Sequence, residues 1–171
     1  MIKTSEIKAW AESVLPIEQQ VYNLLKEKNM TLTTAESATG GLIAAKLVNV
    51  PGISEFFTEG YVTYSNAAKI KMIGVDATLI KKYGVVSCEV AKDMAVSAAR
   101  TANADAAVSV TGVAGPDGGT EDCPVGTVCI GCYCRGQISV ECHIYDGDRQ
   151  EVRAQAADRA LKLLIECILA E

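Results

Sequence analysis

Apolar positions along this chain alternate between two periods. After Pro16, a residue suited to a helix start, Ile17, Val21, Leu24 and Leu25 recur at helical spacing. Lys26 and Lys28 fall in the last turn, where cations suit the helix dipole. Residues 31–35 read as a strand and 40–49 as a helix, with a turn at Pro51-Gly52. "GYVTYS", 60–65, is rich in aromatic and β-branched residues and reads as a strand. Asn66 is placed to cap a helix through Lys69 to Ile73, ended by Gly74. A short helix is expected over about 76–83. A longer one runs from a Ser87 cap, with Glu89 in its first turn, to about Asn103. "ADAAVSVTG", 104–112, is almost continuously apolar, as a strand buried on both faces would be. "VGTVCIGCYC" and "QISVECHIY" flank Arg135-Gly136 as a β-hairpin. The last segment is a helix whose inner face carries Val152, Ala156, Ala160, Leu163, Leu164 and Ile168.

Strands and helices alternate first and a hairpin comes late. The pattern predicts one α/β domain, a three-layer α/β/α sandwich with a mixed, mostly parallel sheet. A short amphipathic lead, residues 1–13, precedes it. Repeats, low-complexity tracts and linkers are absent from the sequence.

Composition narrows the function. A net charge of −5 argues against a nucleic-acid binder, which needs a basic face. No apolar run reaches the ~18 residues of a membrane helix, and the start lacks a signal-peptide core. A cytoplasmic protein is expected, with no membrane partner. Seven cysteines are odd in number, in a chain long for a disulfide scaffold. "CIGCYC" could be taken for metal ligands, but it also fits a β-strand. A zinc site would want a second ligand cluster, and only Cys142 and His143 are near. The cysteines are therefore read as reduced, buried thiols acting as small hydrophobes, with no metal.

In an open α/β sheet, ligands bind beyond the carboxyl ends of the strands. Three segments occupy such ends: 36–41, 64–69 and 111–119. If their strands run parallel, they converge on one edge. Ser37 in "TAESATGGL" has two readings, a helix cap or a nucleophile, and Thr39 could do the capping instead. The only histidine, His143, lies in an apparent hairpin strand, which makes a Ser-His-Asp triad a poor fit. Lysine is the other base. Lys69 follows Tyr64 by five residues, and both could face one mouth. It would act only when neutral, so its pKa must fall. Gly40 and Gly41 open a helix N-terminus whose N–H groups could hold an anion or oxyanion. The 112–119 loop has four glycines and a proline, and it matches neither GxxxxGK[ST] nor GxGxxG. Arg149 and Arg153, four apart, suit a phosphate or surface ion pairs.

"TAESATGGLIAAKL", "GYVTYSNAAKIKMIGV", "YGVVS" and "SVTGVAGPDGGTEDCPVGTVCIG" together resemble the CinA carboxy-terminal domain family over about residues 14–168. Its members include stand-alone nicotinamide-nucleotide amidases. The resemblance implies hydrolysis of nicotinamide mononucleotide to nicotinic acid mononucleotide and ammonia, without a cofactor. It places Ser37 as nucleophile, Lys69 as general base and Tyr64 as the assisting tyrosine. Glu36, Thr39, Gly40, Gly41, Gly112, Ala114, Gly115, Pro116 and Arg149 are the expected substrate-pocket residues. Where the family usually has cysteine in "ESCTGG", this chain has Ala38. The family's usual amino-terminal partner, a molybdopterin-binding-like module, is expected to be absent. A homo-oligomer, dimer or higher, is expected. The rival reading is a non-catalytic nucleotide-binding or interaction module linked to competence or recombination.

Overall fold

The structure is a computed structural model and describes residues 15–171. The expected amphipathic lead lies outside the described residues. In chain order the elements are α1 (Ile17–Lys28), β1 (Leu32–Glu36), α2 (Leu42–Leu47), a 3-10 turn (Ile53–Glu55), β2 (Phe57–Val62) and α3 (Asn66–Ile73). There follow α4 (Ala77–Tyr83), α5 (Cys88–Ala102), β3 (Ala106–Gly112), β4 (Thr127–Cys134), β5 (Gln137–Ile144) and α6 (Arg149–Ala170).

The five strands form one sheet in the order β2-β1-β3-β4-β5. β1 runs parallel to both β2 and β3, whereas β4 and β5 are antiparallel to their neighbours. The sheet is therefore mixed, with three parallel strands at one side and the hairpin at the other. Helices cover both faces. Val21, Leu24, Ile43, Leu47, Leu161 and Leu164 of α1, α2 and α6 bury one face of β1, β3 and β4. Ile73, Val90, Met94 and Ala98 of α3 and α5 bury the other, against Ala35 and Ala107. The three-layer α/β/α expectation holds.

Strand β4 shows how the sequence divides between the layers. Side chains alternate along a strand, so Val128, Ile130, Cys132 and Cys134 join the α1/α6 core. Cys129, Gly131 and Tyr133 take the α5 side. An added Cβ at Gly131 would run into the Ala91 carbonyl of α5 and lie 2.8 Å from the Ser109 hydroxyl. That hydroxyl donates to the same carbonyl at 2.6 Å. Gly131 lets α5 press onto the sheet, and Ser109 fastens it there.

Three sequence readings change. The strand expected at 60–65 is Phe57–Val62, because its ladder ends where its partner β1 ends, at Glu36↔Val62. The cap of α3 is Ser65, whose hydroxyl accepts from the Ala68 N–H, and Asn66 is the first helical residue. The cysteines are not all free: Cys129 and Cys142, directly opposed across the β4–β5 pair, form a disulfide. Cys132, Cys134 and Cys167 are buried, as expected of small hydrophobes. No described helix is long and apolar enough to cross a membrane.

Gly131→Ala should lower stability by about 1–3 kcal/mol through overpacking. The check is the urea midpoint, which should fall with an unchanged m-value.

Candidate active site

The site begins where β1 runs out. Glu36 is 1 % exposed, and its carboxylate accepts from the N–H groups of Gly41 (3.0 Å), Ile43 (3.0 Å) and Ala44 (2.8 Å). These are N–H groups at the start of α2, which lack partners within the helix, and an anion suits them electrostatically. The expected cap, Thr39, makes no such bond; its hydroxyl is buried without a partner among the described residues. Gly40 and Gly41 have φ of 61° and 97°, so the chain turns in left-handed geometry before α2 starts at Leu42. This is why the helix expected from residue 40 begins later.

The turn holds Ser37 at the crevice between β1 and β3. The Ser37 N–H donates to the Val110 carbonyl of β3 at 2.9 Å. Arg153 of α6 pins the next two residues, donating to the carbonyls of Ala38 (3.2 Å) and Thr39 (2.8 Å). The guanidinium that the sequence offered for phosphate is thus committed to the turn. The expected anion donors are committed too. The Gly40 N–H donates to the Ser37 carbonyl at 3.1 Å, and the Gly41 N–H to Glu36. The N–H groups of Ala38 and Thr39 bond no acceptor among the described residues.

Lys69 approaches from the first turn of α3. Its Nζ lies 2.9 Å from the Ser37 Oγ and 2.9 Å from the Thr63 carbonyl oxygen. The side chain is 1 % exposed, and no carboxylate pairs with it among the described residues. Burial without a counter-ion disfavours the ammonium form and lowers the pKa from 10.5 to about 8. Ser37 and Lys69 therefore form a hydroxyl–amine pair in which an appreciable neutral fraction exists near neutral pH.

The pair opens into a cavity of about 290 Å³. Of the expected residues, Tyr64, Gly112, Ala114, Gly115 and Arg149 line it with Ser37 and Lys69. Pro116 lines an adjacent cavity of about 550 Å³ that shares Ala114, Gly115 and Arg149. Glu36, Thr39, Gly40 and Gly41 do not line the first cavity; they shape the turn behind it. Tyr64 is 62 % exposed, and its hydroxyl accepts from Arg149 at 2.9 Å rather than touching Ser37 or Lys69. The same guanidinium donates to the Gly115 carbonyl at 2.6 Å. Arg149 thus ties the end of β2, the 112–119 loop and α6 into one rim. Asn66, Thr111 and Asp117, inside the 64–69 and 111–119 segments but not singled out there, also line the cavity, and sequence reasoning missed Val85 and Val86. Val85 and Val86 belong to the "YGVVS" segment, but nothing in their chemistry marks them as wall residues. His143 bonds Glu141 at 2.8 Å on β5 and does not line the cavity.

A parallel three-strand edge with a buried serine–lysine pair at its carboxyl ends is the place where open α/β sheets take ligands. Residues 14–168 match the CinA C-terminal domain family, and the chain belongs to it. A competence-damage inducible protein of Clostridium beijerinckii is 49 % identical over 155 residues, which cover 91 % of this chain and 38 % of that protein. A CinA-like protein of Kosmotoga olearia is 45 % identical over 90 % of this chain and 37 % of its own length. The chain thus spans under two-fifths of the length of these curated relatives. A crystal structure of a CinA superfamily protein from Klebsiella pneumoniae superposes with a TM-score of 0.87 at 34 % identity, covering 91 % of this chain and 97 % of that one. The competence/damage inducible protein CihA of Agrobacterium tumefaciens superposes at 0.86 with 35 % identity, covering 93 % and 99 %.

The buried amine has a signature in stability. Folding lowers its pKa, so the unfolded chain holds the proton more tightly. The group opposes folding fully below about pH 8, and the penalty fades as pH rises toward 10.5. Relative to Lys69→Met, the wild type should therefore gain roughly 1–3 kcal/mol between neutral pH and pH 10. Denaturant titrations of both proteins across that range provide the check.

Proposed function

We propose that this domain is an amidohydrolase that deamidates nicotinamide mononucleotide to nicotinic acid mononucleotide and ammonia. The observation that carries the reading is the 2.9 Å contact between Lys69 Nζ and Ser37 Oγ, buried at one end of a ligand-sized cavity. Membership of the CinA C-terminal domain family supports it, because stand-alone nicotinamide-nucleotide amidases are known in that family.

In this reading neutral Lys69 takes the proton of Ser37 as its oxygen attacks the carboxamide carbon. The developing oxyanion is held by backbone N–H groups of the turn. Ala38 and Thr39 supply them, since those of Gly40 and Gly41 are already used. Such donors contribute about 3–4 kcal/mol each in comparable acyl transfers. Lys69 returns its proton to the departing nitrogen, and ammonia leaves an acyl ester on Ser37. Water, deprotonated by the same amine, hydrolyses that ester and frees the carboxylate. The phosphate end of the substrate lies at the rim with Arg149, whose guanidinium suits an anion; the N–H groups of the α6 start are already taken by the Asp148 cap. Tyr64, bonded to Arg149, acts there as a binding residue. Asp117, also in the lining, is an acceptor for ribose hydroxyls.

Ammonia release from nicotinamide mononucleotide tests the reading. Ser37→Ala should keep the fold and reduce turnover by at least about a thousandfold. Wild-type turnover in that variant would exclude covalent catalysis. No ammonia from the wild type, with the nucleotide still bound, would favour the non-catalytic binding module.

The pH profile separates a local base from general positive charge. Because Lys69 must lose its proton to act, kcat/KM should rise with pH through a midpoint near 8. Lys69→Arg keeps the charge but cannot become neutral, so it should lose the reaction. Lys71, exposed on the same helix, should tolerate Lys71→Ala with little change. Activity retained in Lys69→Arg, or lost in Lys71→Ala, would show that the base has been misassigned.

A further inference from the structure

A second group of nucleophilic side chains lies outside the catalytic cavity. The sulfurs of Cys88, Cys129 and Cys142 all lie within 4.8 Å of one another. They come from three elements, α5, β4 and β5, so chain proximity does not explain the gathering. Register explains it. Gly131 brings the Ala91 turn of α5 onto β4. Cys88 lies three residues before Ala91, on the same helix face, and Cys129 lies two before Gly131, on the same strand face. Cys142 stands opposite Cys129 in the β4–β5 ladder. Cys132 and Cys134 point to the opposite side of the sheet, so the sequence-adjacent "CIGCYC" cluster is not the one that forms.

We propose that Cys88, Cys129 and Cys142 form a trithiolate site for a soft divalent cation of the zinc class, available when the Cys129–Cys142 disulfide is reduced. This departs from the reading of every cysteine as inert core. Reduction by a dithiol supplies two electrons and two protons; the protein disulfide becomes two thiols, and the dithiol becomes a disulfide. Binding of the cation then displaces the protons of three thiols. Thiolate sulfurs about 2.3 Å from a tetrahedral zinc lie roughly 3.8 Å apart. The three sulfurs, all within 4.8 Å of one another, are close enough to share one ion once the disulfide is opened. The fourth position is left for water or another ligand.

The site lies directly behind the catalytic wall. Cys129 stands opposite Thr111 of β3, and Thr111 lines the cavity. The Thr111 hydroxyl donates to the Val85 carbonyl at 2.8 Å. Val85 and Val86 line the cavity, and Cys88 follows two residues later. A cation held by the three sulfurs would tie the 85–88 segment to the hairpin and fix one wall of the cavity.

The test uses the full chain reduced with a phosphine and titrated with cobalt(II), then with zinc. Thiolate-to-cobalt charge-transfer bands and tetrahedral d–d bands should develop to one ion per chain, and zinc should abolish them. Cys88→Ser and Cys142→Ser, each checked for an unchanged circular dichroism spectrum, should weaken binding by at least about tenfold. Cys123→Ser, outside the cluster, should match the wild type. Absence of the thiolate bands in the fully reduced wild type would overturn the proposal. So would bands that survive both substitutions, or a disulfide that resists reduction and leaves the protein unable to take up metal. Because the readout is metal binding, it stands or falls independently of amidase activity.

Discussion

A buried amine with no carboxylate partner among the described residues governs the edge where this fold's candidate site lies. Lys69 is 1 % exposed, and its nitrogen is held by a serine hydroxyl and a backbone carbonyl, neither of which carries charge. An ammonium in that setting loses its hydration and regains little, so the neutral form becomes accessible. Everything around it serves that condition. Strand β2 stops at Val62 so that the Thr63 carbonyl can turn toward the amine. Ser65 then restarts the chain as α3, placing Lys69 one turn in and facing inward. A carboxylate close to the nitrogen would favour the ammonium and raise its pKa. Glu36, the nearest acid in sequence to Ser37, is held instead by three backbone N–H groups.

That use of Glu36 separates two tasks which the letters of the turn alone ask of one serine. A helix start needs an acceptor, and a nucleophile needs an uncommitted hydroxyl. By giving the cap to Glu36 and the carbonyls of Ala38 and Thr39 to Arg153, the chain leaves the Ser37 hydroxyl to Lys69. Rigidity comes from outside the Ser37–Lys69 pair, as precise placement requires.

Much of this was legible in the sequence, for identifiable reasons. The apolar run 104–112 and the 3.6-residue stripes of α5 and α6 are long, so their type survives uncertainty about their ends. That Ser37 and Lys69 would come together was legible because one follows β1 directly and the other sits in the first turn of the helix after β2, and the two strands run parallel. What escaped was non-local. The end of β2 is set by the length of β1, not by the β-branched letters at 60–65. The role of Arg153 depends on α6 lying over a turn 114 residues away. The Gly40 and Gly41 donors were plausible by composition, but positive φ turned their N–H groups back onto Ser37 and Glu36. The pairing of Cys129 with Cys142 needed the hairpin register, which the Arg135-Gly136 turn fixes but no local pattern displays.

The charge layout of the cavity bears on what it can hold. Its inner end presents the Ser37 hydroxyl, an amine that sheds its proton near pH 8, and backbone N–H groups, a setting that suits an uncharged carbonyl becoming anionic during reaction. Its rim presents Arg149, already bonded to the Tyr64 hydroxyl and the Gly115 carbonyl, neutral acceptors that an incoming phosphate can replace. Replacing a neutral acceptor by an anion strengthens each guanidinium bond. Binding at the rim would therefore draw Arg149 from two weaker partners to a stronger one, loosening the tie between Tyr64 and the 112–119 loop. A ligand with an anionic tail and a neutral amide head fits both ends at once. A cationic head would be opposed at the buried end, where Lys69 brings the only side-chain charge and no carboxylate pairs with it among the described residues.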